Sequence, residues 1–196
     1  MVKLVKLYIA NLTNISLNEI LVKYKDYIHK DDIDNMNDFE IELKKMQSIT
    51  SSILKNKYVL GPIYYSEFGK PLSNNSYFNI SHSDNLVILA ITEDVNIGID
   101  IEHIRDVKDK TILYTLNSLE LDTFDYENKT KSFYTLWTKK EAIAKCYGIG
   151  LTKNIKDILT NYNNYIESFY IDDYVYSIAL ECNKDTDINI ISNIEF

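Results

Sequence analysis

Cysteine, proline, glycine and arginine are all scarce in this 196-residue chain, and each scarcity argues against a class of protein. The two cysteines, Cys146 and Cys182, lie far apart and lack metal-ligand spacing, which argues against a disulfide framework or a thiolate zinc site. Five glycines and two prolines leave no segment simple enough for a linker, and 45% hydrophobic content with 16 tyrosines describes a folded unit of regular elements. No apolar run reaches membrane length, and the opening Met1-Val2-Lys3-Leu4-Val5-Lys6 alternates like a strand without the continuous apolar stretch of a signal peptide. The expectation is a cytoplasmic protein. A net charge of −8 argues against nucleic acid as a partner. Positive charge concentrates in the middle, where ten basic and seven acidic residues lie between His103 and Lys156.

The pattern of apolar residues predicts an initial strand, helices over 17–29 and 38–57, short strands at 63–65 and 77–82, and an unbroken apolar strand, Leu86 to Thr92, buried on both faces. Phe39, Ile41, Leu43, Met46, Ile49, Ile53 and Leu54 form the apolar stripe of the second helix. A turn at Glu93 to Asn96 leads into a strand from Ile97. Beyond it come helices at 117–124, with Ser118 ahead of its acids, and at 130–147, with Gly148 as C-cap. Strands at 164–170, 174–181 and 188–194 complete the chain. Helix, strand and hairpin recur in order, so the reading is α+β: two similar halves, residues 1–96 and 97–196.

The strand Ile97-Gly98-Ile99-Asp100-Ile101-Glu102 puts three isoleucines on one face and Gly98, Asp100 and Glu102 on the other. Asp100 and Glu102 are then roughly 7 Å apart along the backbone, where two bare charges at an effective dielectric near 20 repel by about 2 kcal/mol. A divalent cation would reverse that penalty, and Gly98 would leave a bulky ligand free to approach the backbone. On the long helix Trp137, Glu141 and Lys145 share a face at four-residue spacing, while Lys139 and Lys140 point elsewhere. Packed against the strand, Glu141 would be a third oxygen donor to a hard cation such as magnesium, and Lys145 a positive charge for a phosphoryl group. Cys146 reads as buried helix surface and Trp137 as a core anchor.

Four blocks carry a resemblance. Phe78-Asn79-Ile80-Ser81-His82-Ser83, Ile97 to Glu102, Trp137-Thr138-Lys139-Lys140-Glu141-Ala142 with Lys145, and Gly148-Ile149-Gly150-Leu151 resemble, in order and spacing, the signatures of the surfactin-type (Sfp-type) 4'-phosphopantetheinyl transferases. The likeness runs from about Gly69 to Leu151 and includes Gly69-Lys70-Pro71. It implies two pseudo-symmetric α+β halves with a ligand cleft between them. The implied reaction transfers 4'-phosphopantetheine from coenzyme A to a serine hydroxyl of an apo carrier protein (acyl, peptidyl or polyketide), releasing adenosine 3',5'-bisphosphate. By the same resemblance Asp100, Glu102 and Glu141 would hold Mg2+ against the diphosphate, and Glu141 would deprotonate the attacking serine. Lys145 would neutralise or protonate the leaving side, and Lys70, Pro71, Ser81 and His82 would contact coenzyme A. The face that Gly98 clears would let coenzyme A pass.

The family usually grips the 3'-phosphate end of coenzyme A with basic residues, commonly including an arginine, yet Arg105 is the only arginine of this chain. The corresponding stretch offers Lys44, Lys45, Gln47 and Ser48, and lysine lacks the bidentate fork; Lys44 and Ser48 are the expected contacts. The basic middle, with Arg105, Lys108, Lys110, Lys129, Lys131, Lys139 and Lys140, is a candidate docking surface for an acidic carrier. A chain that builds its cleft from two halves is expected to act as a monomer. Two alternatives compete with active transfer: a catalytically silent coenzyme A or carrier-binding protein of the same fold, and a magnesium-dependent nucleotide phosphohydrolase.

Overall fold

A computed structural model describes residues 3–67, 69–150 and 155–195. Its elements in order are β1 (Lys3–Asn11), α1 (Leu17–Lys23), α2 (Lys30–Asn37), α3 (Glu42–Tyr58), β2 (Ile63–Tyr65), β3 (Pro71–Ser73), β4 (Tyr77–Ser83), β5 (Leu86–Thr92) and β6 (Ile97–His103). Then come α4 (Asp109–Thr115), α5 (Ser118–Asp122), α6 (Lys129–Tyr147), α7 (Ile158–Asn161), β7 (Tyr165–Ile171), β8 (Tyr174–Leu180) and β9 (Ile188–Ile194). The fold is α+β, as the alternating pattern predicts. Leu151 of the fourth signature block lies outside the described residues, as do Met1 and Val2 of the opening strand.

Differences from the predicted elements have local causes. The single helix expected over 17–29 stops at Lys23, and a new helix, α2, starts one residue after His29. There the Asp32 carboxylate accepts from the His29 backbone N–H at 2.8 Å, and Asp31 and Asp32 complement the positive end of the helix. Its polar sequence shows no apolar stripe. Likewise α3 starts at Glu42 rather than 38, so Phe39 and Ile41, expected on its buried stripe, precede it and are exposed. Asn117, not Ser118, is the cap of α5 and shares a capping box with Glu120.

One sheet has the order β4-β5-β1-β9 and another β6-β8-β7. In both, an early strand (β1, β6) pairs antiparallel with the second strand of a later hairpin (β4–β5, β7–β8). Late in the chain, β9 returns to lie parallel beside β1, which ties the two ends of the chain into one sheet.

A first core lies under α3, where Ile49, Ile53 and Leu54 meet Phe78, Val87 and Leu89. A second fills the space between the two sheets, with Val5, Leu7, Ile88 and Ala90 facing Ile97, Ile99, Ile101 and Ile178. Alternate residues of β5 enter each core, so all seven of its residues are buried, as its apolar run predicts. Burying Ile97, Ile99 and Ile101 stabilises β6 by about 2 kcal/mol per side chain. That apolar anchor fixes which way the opposite face of β6 looks: toward α6.

Candidate active site

The face of β6 carrying Gly98, Asp100 and Glu102 packs against α6, and the two elements run in opposite directions. Gly98 lies against Ala142 and Cys146, and Glu102 reaches Trp137 near the middle of the helix. A Cβ on Gly98 would stand 2.0 Å from the Ala142 carbonyl oxygen and 2.4 Å from the Cys146 nitrogen. Gly98 therefore admits the backbone of α6, not a passing ligand. This corrects the reading in which the glycine clears a path for coenzyme A.

Close approach brings the helix face of Trp137, Glu141 and Lys145 onto the carboxylates. The Lys145 ammonium donates to Asp100 Oδ1 at 2.6 Å and to Ser81 Oγ at 2.9 Å. Asp100 is only 5% exposed, and its second oxygen, Oδ2, is buried without a hydrogen-bond partner. Glu102 accepts from Ser83 Oγ at 3.2 Å and from the Trp137 indole at 3.4 Å, so Trp137 serves the site as well as the core. Burial pushes the Asp100 carboxyl up against the pull of Lys145; burial and the Asp100 charge do the same to Glu102. Glu141 is pushed up to about 7, by burial first and then by the charges of Asp100 and Glu102, with Lys145 opposing. Three carboxylates are thus near enough to resist one another's ionisation.

The β4 strand delivers Ser81 and His82 to opposite sides. Ser81 is buried with Asp100 and Lys145, while His82 lies on the other face, lowered in pKa by burial and by the positive charges of Lys44 and Lys145. Lys44 is exposed on the first turn of α3, and Ser48 follows one turn further along the same helix. Lys70 is committed elsewhere. Its ammonium donates to the Cys146 carbonyl at 2.5 Å, at the end of α6 where Gly148 takes the left-handed conformation with φ 66°. A cation there complements the negative helix end, and burial lowers the Lys70 pKa. Lys70 lines a cavity of about 370 Å³ with Ser66, Tyr147 and Gly148, and Pro71 begins β3 beside it. A second cavity, about 540 Å³, opens on Glu102 and is walled by Phe133, Tyr134 and Trp137.

The basic middle is less available for docking than its sequence suggests. Lys140 has no exposed surface: it pairs with Glu120 at 2.8 Å and donates to the Ile155 and Lys156 carbonyls at 3.0 and 2.7 Å, so it is a buried staple and not a docking residue. Lys129 pairs with Asp109, and Arg105 pairs with Asp84, which also holds His103 Nδ1 at 2.7 Å. Asp84 sits in the β4–β5 turn at φ 42°, a conformation aspartate tolerates better than most residues. Sequence reasoning assigned no role to Asn79, Ser83, Asp84 or His103. The period-two alternation of Asn79, Ser81 and Ser83, matched to that of β6, was the available signal.

Among the described residues no three His, Cys, Asp or Glu side chains form a ready cluster that could hold a metal ion. Here the Lys145 ammonium is the counter-charge to Asp100. The donor set nevertheless fits a hard cation. All three acids offer oxygen, Asp100 Oδ2 is a buried acceptor without a partner, and Glu141 is raised by burial and then by its like-charged neighbours.

Residues 96–190, slightly under half of the chain, match the sequence model of the 4'-phosphopantetheinyl transferase superfamily. The matched segment encloses Asp100, Glu102, Glu141 and Lys145. Individual relatives agree. The chain is 35% identical over 100 residues to the 4'-phosphopantetheinyl transferase HetI of Nostoc sp., which covers 45% of this chain and 42% of that protein. It is 37% identical over 90 residues to the 4'-phosphopantetheinyl transferase gsp of Aneurinibacillus migulanus, covering 44% and 38%. With the 4'-phosphopantetheinyl transferase Sfp of Bacillus subtilis it shares 33% identity over 114 residues, covering 53% and 50%. The chain spans half or less of the length of these curated relatives.

Proposed function

We propose that this chain is a magnesium-dependent, surfactin-type 4'-phosphopantetheinyl transferase. It takes coenzyme A as co-substrate, modifies a serine hydroxyl of an apo carrier protein and releases adenosine 3',5'-bisphosphate. The observation that carries the proposal is the contact of β6 with α6, where Lys145 pairs with Asp100 and Trp137 with Glu102, so that the helix face bearing Glu141 lies over both carboxylates and a buried Asp100 oxygen without a partner. The homologous segment spans this same contact.

In this reading residues 1–96 and 97–196 are the two halves, and the protein works as a cytoplasmic monomer. Mg2+ held by Asp100, Glu102 and Glu141 would supply positive charge to the diphosphate. Glu141 accepts the serine proton. The serine oxygen forms its bond to the phosphorus of phosphopantetheine as the bond to the bisphosphate oxygen breaks. Lys145, anchored on Asp100 and Ser81, supplies positive charge to that leaving oxygen. Lys44, Ser48 and His82 form the coenzyme A side on α3 and β4, with Lys70 and Pro71 at the far end of α6.

Incubation with coenzyme A, Mg2+ and a panel of apo carrier proteins tests the proposal. Mass spectrometry should show phosphopantetheine on the carrier serine, dependent on Mg2+. No addition on any carrier, with the protein shown folded by circular dichroism, would refute it. Calorimetric binding of coenzyme A without transfer would then identify a silent binder.

A further inference from the structure

Each sheet presents one edge strand to the other, β4 from the first and β6 from the second, and side chains make the seam where a backbone ladder would otherwise stand. Every second residue of β4 serves an N–H on β6. Asn79 Oδ1 accepts from Ile99 N–H at 3.0 Å, Ser81 Oγ from Ile101 N–H at 3.4 Å, and Ser83 Oγ from His103 N–H at 3.1 Å. Both strands have a period of two, so one face of β4 matches one edge of β6. These N–H groups are the orphans of an edge strand, and leaving them buried and unpaired would be costly.

The two serines act twice. A hydroxyl has one proton to give besides its acceptor lone pairs. Ser81 gives its proton to Asp100 Oδ1 at 3.1 Å, and Ser83 gives its proton to Glu102 Oε2 at 3.2 Å. Ser83 is 8% exposed, which leaves water little room to replace it. Glu102 is therefore held from two sides, by Ser83 of β4 and by the Trp137 indole of α6. The register that satisfies the backbone of β6 also aims its carboxylates. A slip of one residue would present Ile80 and His82 to the seam and remove both functions.

We propose that Ser83 is a positioning residue for Glu102, and that the seam from Asn79 to Ser83 orients the cation-binding carboxylates as the two sheets dock. The inference rests on the reading of these carboxylates as a cation site. It makes cation affinity, and not only turnover, depend on a residue that touches neither cation nor substrate.

Ser83→Ala and Ser83→Thr in the full chain test it. Mn2+ binding is followed by electron paramagnetic resonance without coenzyme A or carrier, alongside thermal melting and transfer kinetics. Ser83→Ala should weaken Mn2+ binding about tenfold, as loss of an outer partner does at metal sites, and lower kcat in parallel while KM for the carrier stays. Ser83→Thr keeps the hydroxyl and should restore both. If Ser83→Ala does not fold, Ser83→Cys, similar in size and a weak donor, is read in the same way. Mn2+ binding by the folded variant within twofold of wild type would overturn the inference, as would wild-type protein that binds no Mn2+. Wild type that binds Mn2+ but transfers nothing would refute the transferase reading, whereas weakened binding in the variant would still support positioning by Ser83.

Discussion

Substitution of Gly98 by alanine is the most direct test of how this site is built. The added methyl would lie 2.0 Å from the Ala142 oxygen, 2.4 Å from the Cys146 nitrogen and 2.9 Å from the Cys146 Cα. An α-helix joins the first two groups by its i to i+4 hydrogen bond, so the methyl would wedge into that bond and no side chain could turn away to make room. Ordinary contact begins near 3.4 Å, so α6 must withdraw from β6 by roughly 1 Å or more. Overpacking of this kind costs about 3 kcal/mol when backbone must move. For a chain of this length that lowers Tm by about 6–12 °C. The effect on chemistry should be larger. Glu141 and Lys145 immediately precede Ala142 and Cys146 in the chain, and a 1 Å misplacement of a catalytic group can lower the rate about 100-fold. Circular dichroism melting and mass-spectrometric transfer assays on Gly98→Ala should therefore show moderate destabilisation and near loss of kcat. A variant with wild-type Tm and wild-type kcat would refute the claim that helix-to-strand contact at Gly98 sets the site.

Glu141 governs a pH dependence whose sign follows from its raised pKa. In the folded chain it titrates at about 7 rather than 4.5, so between about pH 5 and 7 the folded state holds a proton that the unfolded state has released, and stability falls as pH rises. Melting in a chelator should show Tm decreasing across that window, and Glu141→Gln should reduce the decrease, leaving the part due to the raised Asp100 and Glu102 carboxyls, and abolish transfer. An unchanged slope would remove Glu141 from the carboxylate cluster. Lys140 and Lys139 should separate staple from surface. Lys140→Met strands the Glu120 carboxylate and should cost about 3–5 kcal/mol in urea unfolding. Lys139→Glu should leave unfolding almost unchanged and raise KM for the carrier but not for coenzyme A.

Much of the site was legible because period and chemistry coincide within single elements. Alternation along Ile97 to Glu102 separates three core isoleucines from two carboxylates, and the structure buries the isoleucines between the sheets. Four-residue spacing put Trp137, Glu141 and Lys145 on one helix face, and the contacts of Trp137 with Glu102 and of Lys145 with Asp100 lie on that face. Elements without an apolar period were not legible: α2 buries only Met36, and its start depends on a local bond between His29 and Asp32.

The sequence by itself thus determined the α+β class, the faces of β6 and α6 and the residue types able to meet there, because strand and helix periods are local properties of the backbone. Only the tertiary structure decided what those faces meet. It turned Gly98 from a space for ligand into a seat for the helix backbone, and Lys140 from a surface charge into a buried staple for Glu120. It also set Ser83 on Glu102. Each of these depends on the distance and register between elements remote in the chain, which local periodicity leaves open and packing of the three isoleucines against the neighbouring sheet closes.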